Sequence, residues 1–175
     1  PAGGALEYAA EVRARTESRL GFRVGGKLIR RAVEPGDAVK KGQLLAQLDA
    51  QDLKLGQDAA LAAVNAAEVN ASLAAADFRR FKDLRDQGFI SSAELERREA
   101  TLKTAQAQMQ QARAQAGVQG NQAAYSTLSA DAAGVITAVE VDIGAVVSAG
   151  VPVVRLAWDG PRDVVFSVPE DRVAA

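Results

Sequence analysis

No histidine and no cysteine occur among the 175 residues, so the side chains most often recruited for catalysis and metal binding are missing. That excludes zinc sites built on thiolate or imidazole, Ser-His and Cys-His nucleophiles, and any disulfide framework. A carboxylate pair doing acid–base work needs two contrasting environments, and none of the 22 acidic residues is paired in a recognisably apolar context. The chain reads as no enzyme, with no cofactor and no metal. Outside catalysis, three residues able to make contacts fall close together: Arg80, three residues, Leu84, six residues, Ser91. Leucine is an apolar anchor, and a guanidinium donates to carbonyls or carboxylates such as those at a partner's helix ends.

Two alanine-rich helices must position these residues. The pattern predicts a first from Gln51 to Asp86 and a second from Ser92 to Gln122, joined by a tight turn at Gln87-Gly88-Phe89-Ile90-Ser91. At ~1.5 Å per residue they are about 54 and 46 Å long. Leu53, Gln57, Ala60, Val64, Ala67, Ala71, Ala74, Phe78 and Phe81 recur at 4,3 spacing, as do Leu95, Arg98, Leu102, Ala105, Met109, Ala112, Ala116, Gln119 and Ala123. Such a period predicts a coiled coil. An antiparallel register in which facing residue numbers sum to about 176 sets Phe81 on Leu95, Ala74 on Leu102, Ala67 on Met109 and Val64 on Ala112. Gly88, Phe89, Ile90 and Glu94 are read as tip support: Ser91 and Glu94 spell a capping box, and Ile90 can staple onto Leu95. Gly56, Gly117 and Gly120 predict local weakness at the far end of both helices. A second line on the first helix (Ala62, Ala66, Val69, Leu73, Ala76) exceeds what one partner helix can cover; either an alanine-rich helix simply exposes these methyl groups, or neighbouring hairpins pack side by side.

The hairpin interrupts a repeat. Gly26 to Leu48 and Gly134 to Leu156 match without a gap at an offset of 108 residues, aligning Gly26 with Gly134, Gly36 with Gly144, Gly42 with Gly150 and Leu48 with Leu156. Each half reads as strand, turn, short strand, turn, strand, with Gly36, Gly42, Gly144 and Gly150 in the turns. Neither half is large enough to bury an apolar face alone, so the two are expected to face each other as a flattened β sandwich. Leu6 to Ser18 reads as one extended strand after a frayed Pro1-Ala2-Gly3-Gly4, and Arg162 to Val168 as another after a linker at Ala157 to Pro161.

The run GKLIRRAVEPGDAVKKGQLLAQLD resembles the biotinyl/lipoyl fold in the split form found in periplasmic adaptor subunits, the membrane fusion proteins. Carriers of that fold place a modified lysine at the hairpin between the halves. Here the helices take its place, and Lys54 lies on the first of them as a solvated helix charge. The Arg80-Leu84-Ser91 spacing is similar to the signature at the hairpin tip of adaptors that engage TolC-type outer-membrane channels. Pro169-Glu170-Asp171 resembles the start of the β-barrel domain of efflux adaptors.

The expected fold class is therefore α+β. A split lipoyl-like sandwich (residues 21–49 and 128–158) is interrupted by a long antiparallel helical hairpin (50–127). Strands of a partial β-barrel (1–20 and 159–175) flank it. The resemblance implies a periplasmic, inner-membrane-associated adaptor of a tripartite efflux pump. Its partners would be an inner-membrane transporter of the resistance-nodulation-division type and a TolC-type channel, docked through Arg80, Leu84 and Ser91, with six copies in a ring. An adaptor for an ABC-type exporter or type I secretion system shares these parts. A lipoyl or biotin carrier predicts a modified lysine, and a plain coiled-coil scaffold predicts a silent tip. One methionine and no histidine disfavour handling of copper or silver. The balance of 21 basic against 22 acidic residues argues against nucleic acid. The absence of an 18-residue apolar run argues against a membrane span. Pro1, and the lack of a signal peptide, anchor or membrane-proximal domain, suggest a piece of a longer protein.

Overall fold

The computed structural model describes residues 9–166, which divide into two compact units, residues 9–49 with 126–166 and Ala50–Tyr125. The first unit is all β and the second all α. The fold is the expected α+β one, a split sandwich with a helical hairpin inserted between its halves.

Ten strands form the β unit: β1 (Ala10–Ala14), β2 (Glu17–Gly21), β3 (Gly26–Arg31), β4 (Ala38–Val39), β5 (Leu44–Leu48), β6 (Thr127–Ser129), β7 (Gly134–Val139), β8 (Val146–Val147), β9 (Pro152–Trp158) and β10 (Arg162–Phe166). Two four-stranded sheets, ordered β2-β9-β7-β4 and β6-β5-β3-β8, enclose one core, and β1 pairs antiparallel with β10 in a separate ribbon. The 108-residue repeat is visible in individual hydrogen bonds. Gly36 N–H donates to Ile136 O at 2.7 Å, and Gly144 N–H to Leu28 O at 2.7 Å; Gly42 N–H donates to Ala130 O at 2.8 Å, and Gly150 N–H to Phe22 O at 2.9 Å. The turn glycines match in conformation too, with φ of 98° and 92° for Gly36 and Gly144, and 84° and 83° for Gly42 and Gly150. Side chains with a Cβ rarely adopt that region. Core residues pair by the same offset: Leu28 with Ile136, Val39 with Val147, Leu45 with Val153, and Leu48 with Leu156, all buried.

Each half lends a strand to the other. β4 of the first half completes the sheet of β7 and β9, and β8 of the second completes that of β3 and β5. The duplication also begins earlier than the sequence indicates. β2 and β6 are equivalent edge strands, beside β9 and β5, although Phe22 on one side answers to a mere Ala130 on the other.

Two strand expectations need correction. The single strand at Leu6 to Ser18 is two: the ladder breaks near Arg15-Thr16, where Trp158 N–H donates to Thr16 O (3.0 Å) and Arg15 N–H to Pro161 O (3.2 Å), leaving Asp159-Gly160 as a bulge. β2 then runs to Gly21 within the sandwich, so residues 17–20 belong there and not with a barrel. Ala157 and Trp158 likewise extend β9 rather than starting a linker. Ser18 explains the continuity: its Oγ accepts from Trp158 Nε1 at 2.6 Å and donates to Asp131 at 2.8 Å. Pro1-Ala2-Gly3-Gly4, Leu6 to Tyr8, Ser167, Val168 and Pro169-Glu170-Asp171 lie outside the described residues.

In the α unit, α1 spans Gln51–Asp86 and α2 Ser92–Ala124. Ala60 and Val64 cluster with Ala112 and Ala116, and Ala71 and Ala74 with Leu102, Ala105 and Met109, as the 176 register requires. With alanine at most levels the axes can approach to the short end of the usual ~8–10 Å range. Ala105, 3% exposed between Ala71 and Ala74, leaves no room for growth. Ala105→Leu is therefore expected to cost about 1–3 kcal/mol by overpacking, read as an earlier helical transition in thermal unfolding; unchanged melting would mean that the helices stand further apart.

The expected glycine weakness does not break either helix. A Cβ on Gly56 would come 3.1 Å from Gln119 Oε1, and one on Gly120 3.2 Å from Gln57 Nε2. Each glycine thus makes room for a seam glutamine of the other helix. α1 is long and apolar enough to cross a membrane by length and composition alone, which the absence of an unbroken apolar run does not convey. Alanine supplies that apolar character. Mid-helix, Glu68 is paired with Arg113 of α2 at 3.0 Å, so the second helix of the pair brings charge to the same level.

Candidate functional site

The turn of the hairpin is built from two opposed caps. α1 ends because Gly88 takes φ 81°. That lets Gly88 N–H donate to Arg85 O and Phe89 N–H to Leu84 O, both at 2.9 Å. These two bonds are a complete Schellman motif, which satisfies carbonyls the helix would otherwise leave open. α2 starts at Ser91, extended at φ −77° and ψ 159°, whose Oγ accepts from Glu94 N–H at 3.2 Å. Only the serine half of the expected box is built this way. The Glu94 carboxylate turns along the helix to Arg98 (3.3 Å) and Arg97 (3.4 Å). Ile90 and Leu95, the expected staple pair, are each half-buried.

Arg80 and Leu84 stand one turn apart on α1, off the line of seam residues. Arg80 is 70% exposed and ion-paired with Asp77, one turn earlier on the same helix. Leu84 is 37% exposed. Ser91 follows on the α2 side of the turn, its oxygen occupied as an acceptor but its O–H still able to donate. The seam closes beneath them with the Arg98 guanidinium 4.1 Å from the centroid of the Phe81 ring, a cation–π contact. Sequence reasoning placed Arg98 in the seam but missed this stack; an arginine at a core position facing an aromatic was the available signal.

The apex is rigid in backbone and mixed in chemistry. It offers an apolar side chain, a guanidinium and a hydroxyl, with nothing arranged to break a bond. It can grip a complementary surface. Gly36, Gly42, Gly144 and Gly150 lie in the other unit and serve its turns. Lys54 is an exposed charge in the first turn of α1.

No cluster of three potential metal ligands exists among the described residues. The β unit holds a cleft of about 470 Å³ lined by Glu11, Arg13, Glu17, Arg155 and Arg162, among others. Its arginines are largely committed: Arg13 to Glu11 and Arg155 to Glu140, each at 2.6 Å. The bond from Arg13 holds the Glu11 carboxyl below the usual carboxylate range.

Comparison with known proteins agrees with this architecture. Residues 16–156 match the family model described as RND MFP, barrel-sandwich hybrid domain. The chain is 26% identical over 166 residues to the multidrug resistance protein MdtA of Photorhabdus laumondii, covering 94% of this chain and 41% of that protein. The chain thus spans about two fifths of the length of that curated relative. A putative efflux transporter from Bacteroides eggerthii superposes with a TM-score of 0.62 at 30% identity, covering 94% of this chain and 46% of the other. The membrane fusion protein Spr0693 from Streptococcus pneumoniae shares the fold with a TM-score of 0.66 at 20% identity, covering 89% and 64% of the two chains. A split sandwich whose halves trade strands, a coiled-coil hairpin between them and a match over residues 16–156 lead to one assignment: the chain belongs to the barrel-sandwich hybrid domain family of RND membrane fusion proteins.

Proposed function

We propose that this chain is the central part of a periplasmic adaptor, associated with the inner membrane, which links a resistance-nodulation-division transporter to a TolC-type outer-membrane channel for export of drugs or other small molecules. The observation that carries this reading is the hairpin apex. There a double cap closes the turn, with Leu84 and Arg80 in the last turns of α1 and Ser91 at the head of α2. The family match and the likeness to a multidrug resistance protein support the efflux role. Arg80 would exchange or share its Asp77 contact for acceptors on the channel, and Leu84 would enter an apolar recess.

The proposed assembly is a ring of six around the transport axis. Val69 and Leu73, 70% and 59% exposed on the outer line of α1, supply the surface on which a neighbouring hairpin packs. Adaptors of ABC-type exporters share these parts, and the RND family match favours the first partner.

No cysteine occurs among these 175 residues, so a thiol placed here is the only one in this part of the protein. Leu84→Cys in the full-length protein, treated in cells with a thiol-to-amine cross-linker, is expected to trap the outer-membrane channel. Val135→Cys on the β unit is expected not to. Absence of a channel adduct from position 84, with both proteins present and the pump active, would overturn docking through the tip.

A further inference from the structure

Phe89 has a place in the fold that turn support does not explain. It is 73% exposed, the most exposed aromatic side chain among the described residues. A ring packed inward to brace the turn would be covered, and this one is not. Its backbone is nonetheless fixed. Phe89 N–H donates to Leu84 O at 2.9 Å, with Gly88 held at φ 81° between Phe89 and the end of α1. In this motif a hydrophobic contact frequently joins the residue after the glycine to the residue three before the cap. Those positions are Phe89 and Leu84, both exposed. The same cap that ends the helix therefore carries both apolar residues at the apex.

We infer that Leu84 and Phe89 form a single two-residue apolar knob that enters one recess on the outer-membrane channel, so that Phe89 is a specificity-determining contact. This rests on the docking reading above and adds a residue to it. Three properties fit the role. An aromatic side chain brings a large contact area with few rotatable bonds, the type that dominates binding at interface hot spots. The Schellman bonds preorganise the backbone, so docking orders little that is not already ordered. Charged groups of both signs (Arg80, Lys82, Asp83, Arg85 and Asp86) occur within the same two turns of α1, leaving the knob as the apolar centre of a polar rim. The recess that fits it has an apolar floor wide enough for a phenyl ring and polar groups of both kinds at its edge.

The test uses full-length protein and the host's TolC-type channel in lipid nanodiscs, with binding and hairpin melting measured in parallel. Phe89→Ala is expected to weaken channel binding roughly ten-fold or more, with Phe89→Trp recovering most of it and the helical transition unmoved. Phe89→Arg, which leaves the exposed turn intact, is expected to bind no better than Phe89→Ala. Wild-type binding by Phe89→Ala and Phe89→Arg, when Leu84→Asp fails to bind, would overturn the knob and leave docking standing. Wild-type binding by all three would overturn docking itself. A drop in melting for Phe89→Ala with unchanged binding would assign the ring to the fold.

Discussion

Full-length protein carrying Leu84→Asp or Ser91→Asp is expected to give no more drug resistance than the absence of the protein, while remaining as abundant and as helical as the wild type. Leu84 is 37% exposed in the last turn of α1, so the fold loses little when it changes. Aspartate near a helix C-terminus costs about 0.3–1 kcal/mol through the helix dipole. At a docked apolar recess the same carboxylate would be buried without a partner, a penalty of several kcal/mol, and every 1.4 kcal/mol is a ten-fold loss of affinity. Ser91→Asp separates docking from capping more sharply. Aspartate caps a helix about as well as serine, and its charge suits a helix N-terminus. The Glu94 N–H keeps an acceptor while the tip loses its hydroxyl and gains a negative charge at the head of α2. Minimum inhibitory concentrations, with immunoblots and circular dichroism of the purified variants, check both. Normal resistance in either variant at normal abundance would count against the tip as the docking site.

The second large effect falls on the β unit. Gly134→Ala is expected to destabilise the sandwich by roughly 2–3 kcal/mol or more through an overpacking it cannot relieve, lowering its melting temperature by about 10–20 °C. A Cβ built on Gly134 would lie 2.1 Å from the carbonyl oxygen of Ala157 and 3.1 Å from the Cα of Trp158, so the obstacle is the backbone of β9 rather than a side chain that can swing away. Gly26 is its partner in the repeat and sits in the same position of its own strand. A Cβ there would meet the Leu48 side chain at 3.4 Å and the Asp49 carbonyl oxygen at 3.8 Å, both ordinary contacts or nearly so. Gly26→Ala is expected to be nearly silent by the same calorimetry. Equal losses from the two substitutions would show that the halves are packed more alike than these distances imply.

That pair also marks where sequence reading ends. Aligned glycines reveal a duplication, because turns at Gly36, Gly42, Gly144 and Gly150 demand the same backbone conformation in both halves. They do not reveal that Gly134 is pressed against a neighbouring strand, since the sequence does not say which strand lies beside it. The hairpin was legible almost to the residue. Its period of small side chains sets the register locally, and every residue of both expected seams is buried or half-buried. The exchange of β4 and β8 between sheets was not legible, because two-residue strands carry no periodicity. Nor was the membership of β2, whose alternation reads the same whether its partner is β9 or a barrel strand. At the apex, the serine cap followed from composition. The carboxylate of Glu94 turned elsewhere because Arg97 and Arg98 lie within a turn of it. Phe89 reads as tip support in the sequence, and its 73% exposure goes beyond that role.

Strand exchange has a kinetic consequence. Because β4 and β8 each complete the other half's sheet, a chain that has made only residues 9–49 has nothing to fold onto, and its first stable sheets await β7, β8 and β9. The two halves are separated by the 76 residues of Ala50–Tyr125, whose contacts start at a tight turn and zip outward. Closing a loop of that size as flexible chain carries an entropic cost that grows with the logarithm of its length. Once α1 and α2 have paired, Ala50 and Tyr125 are already neighbours, and Leu48 needs only to find Ser126, to whose carbonyl its N–H donates at 2.8 Å. Pairing of the helices thus lowers the entropic cost of joining the two β halves, whose strand pairings are the non-local part of the fold.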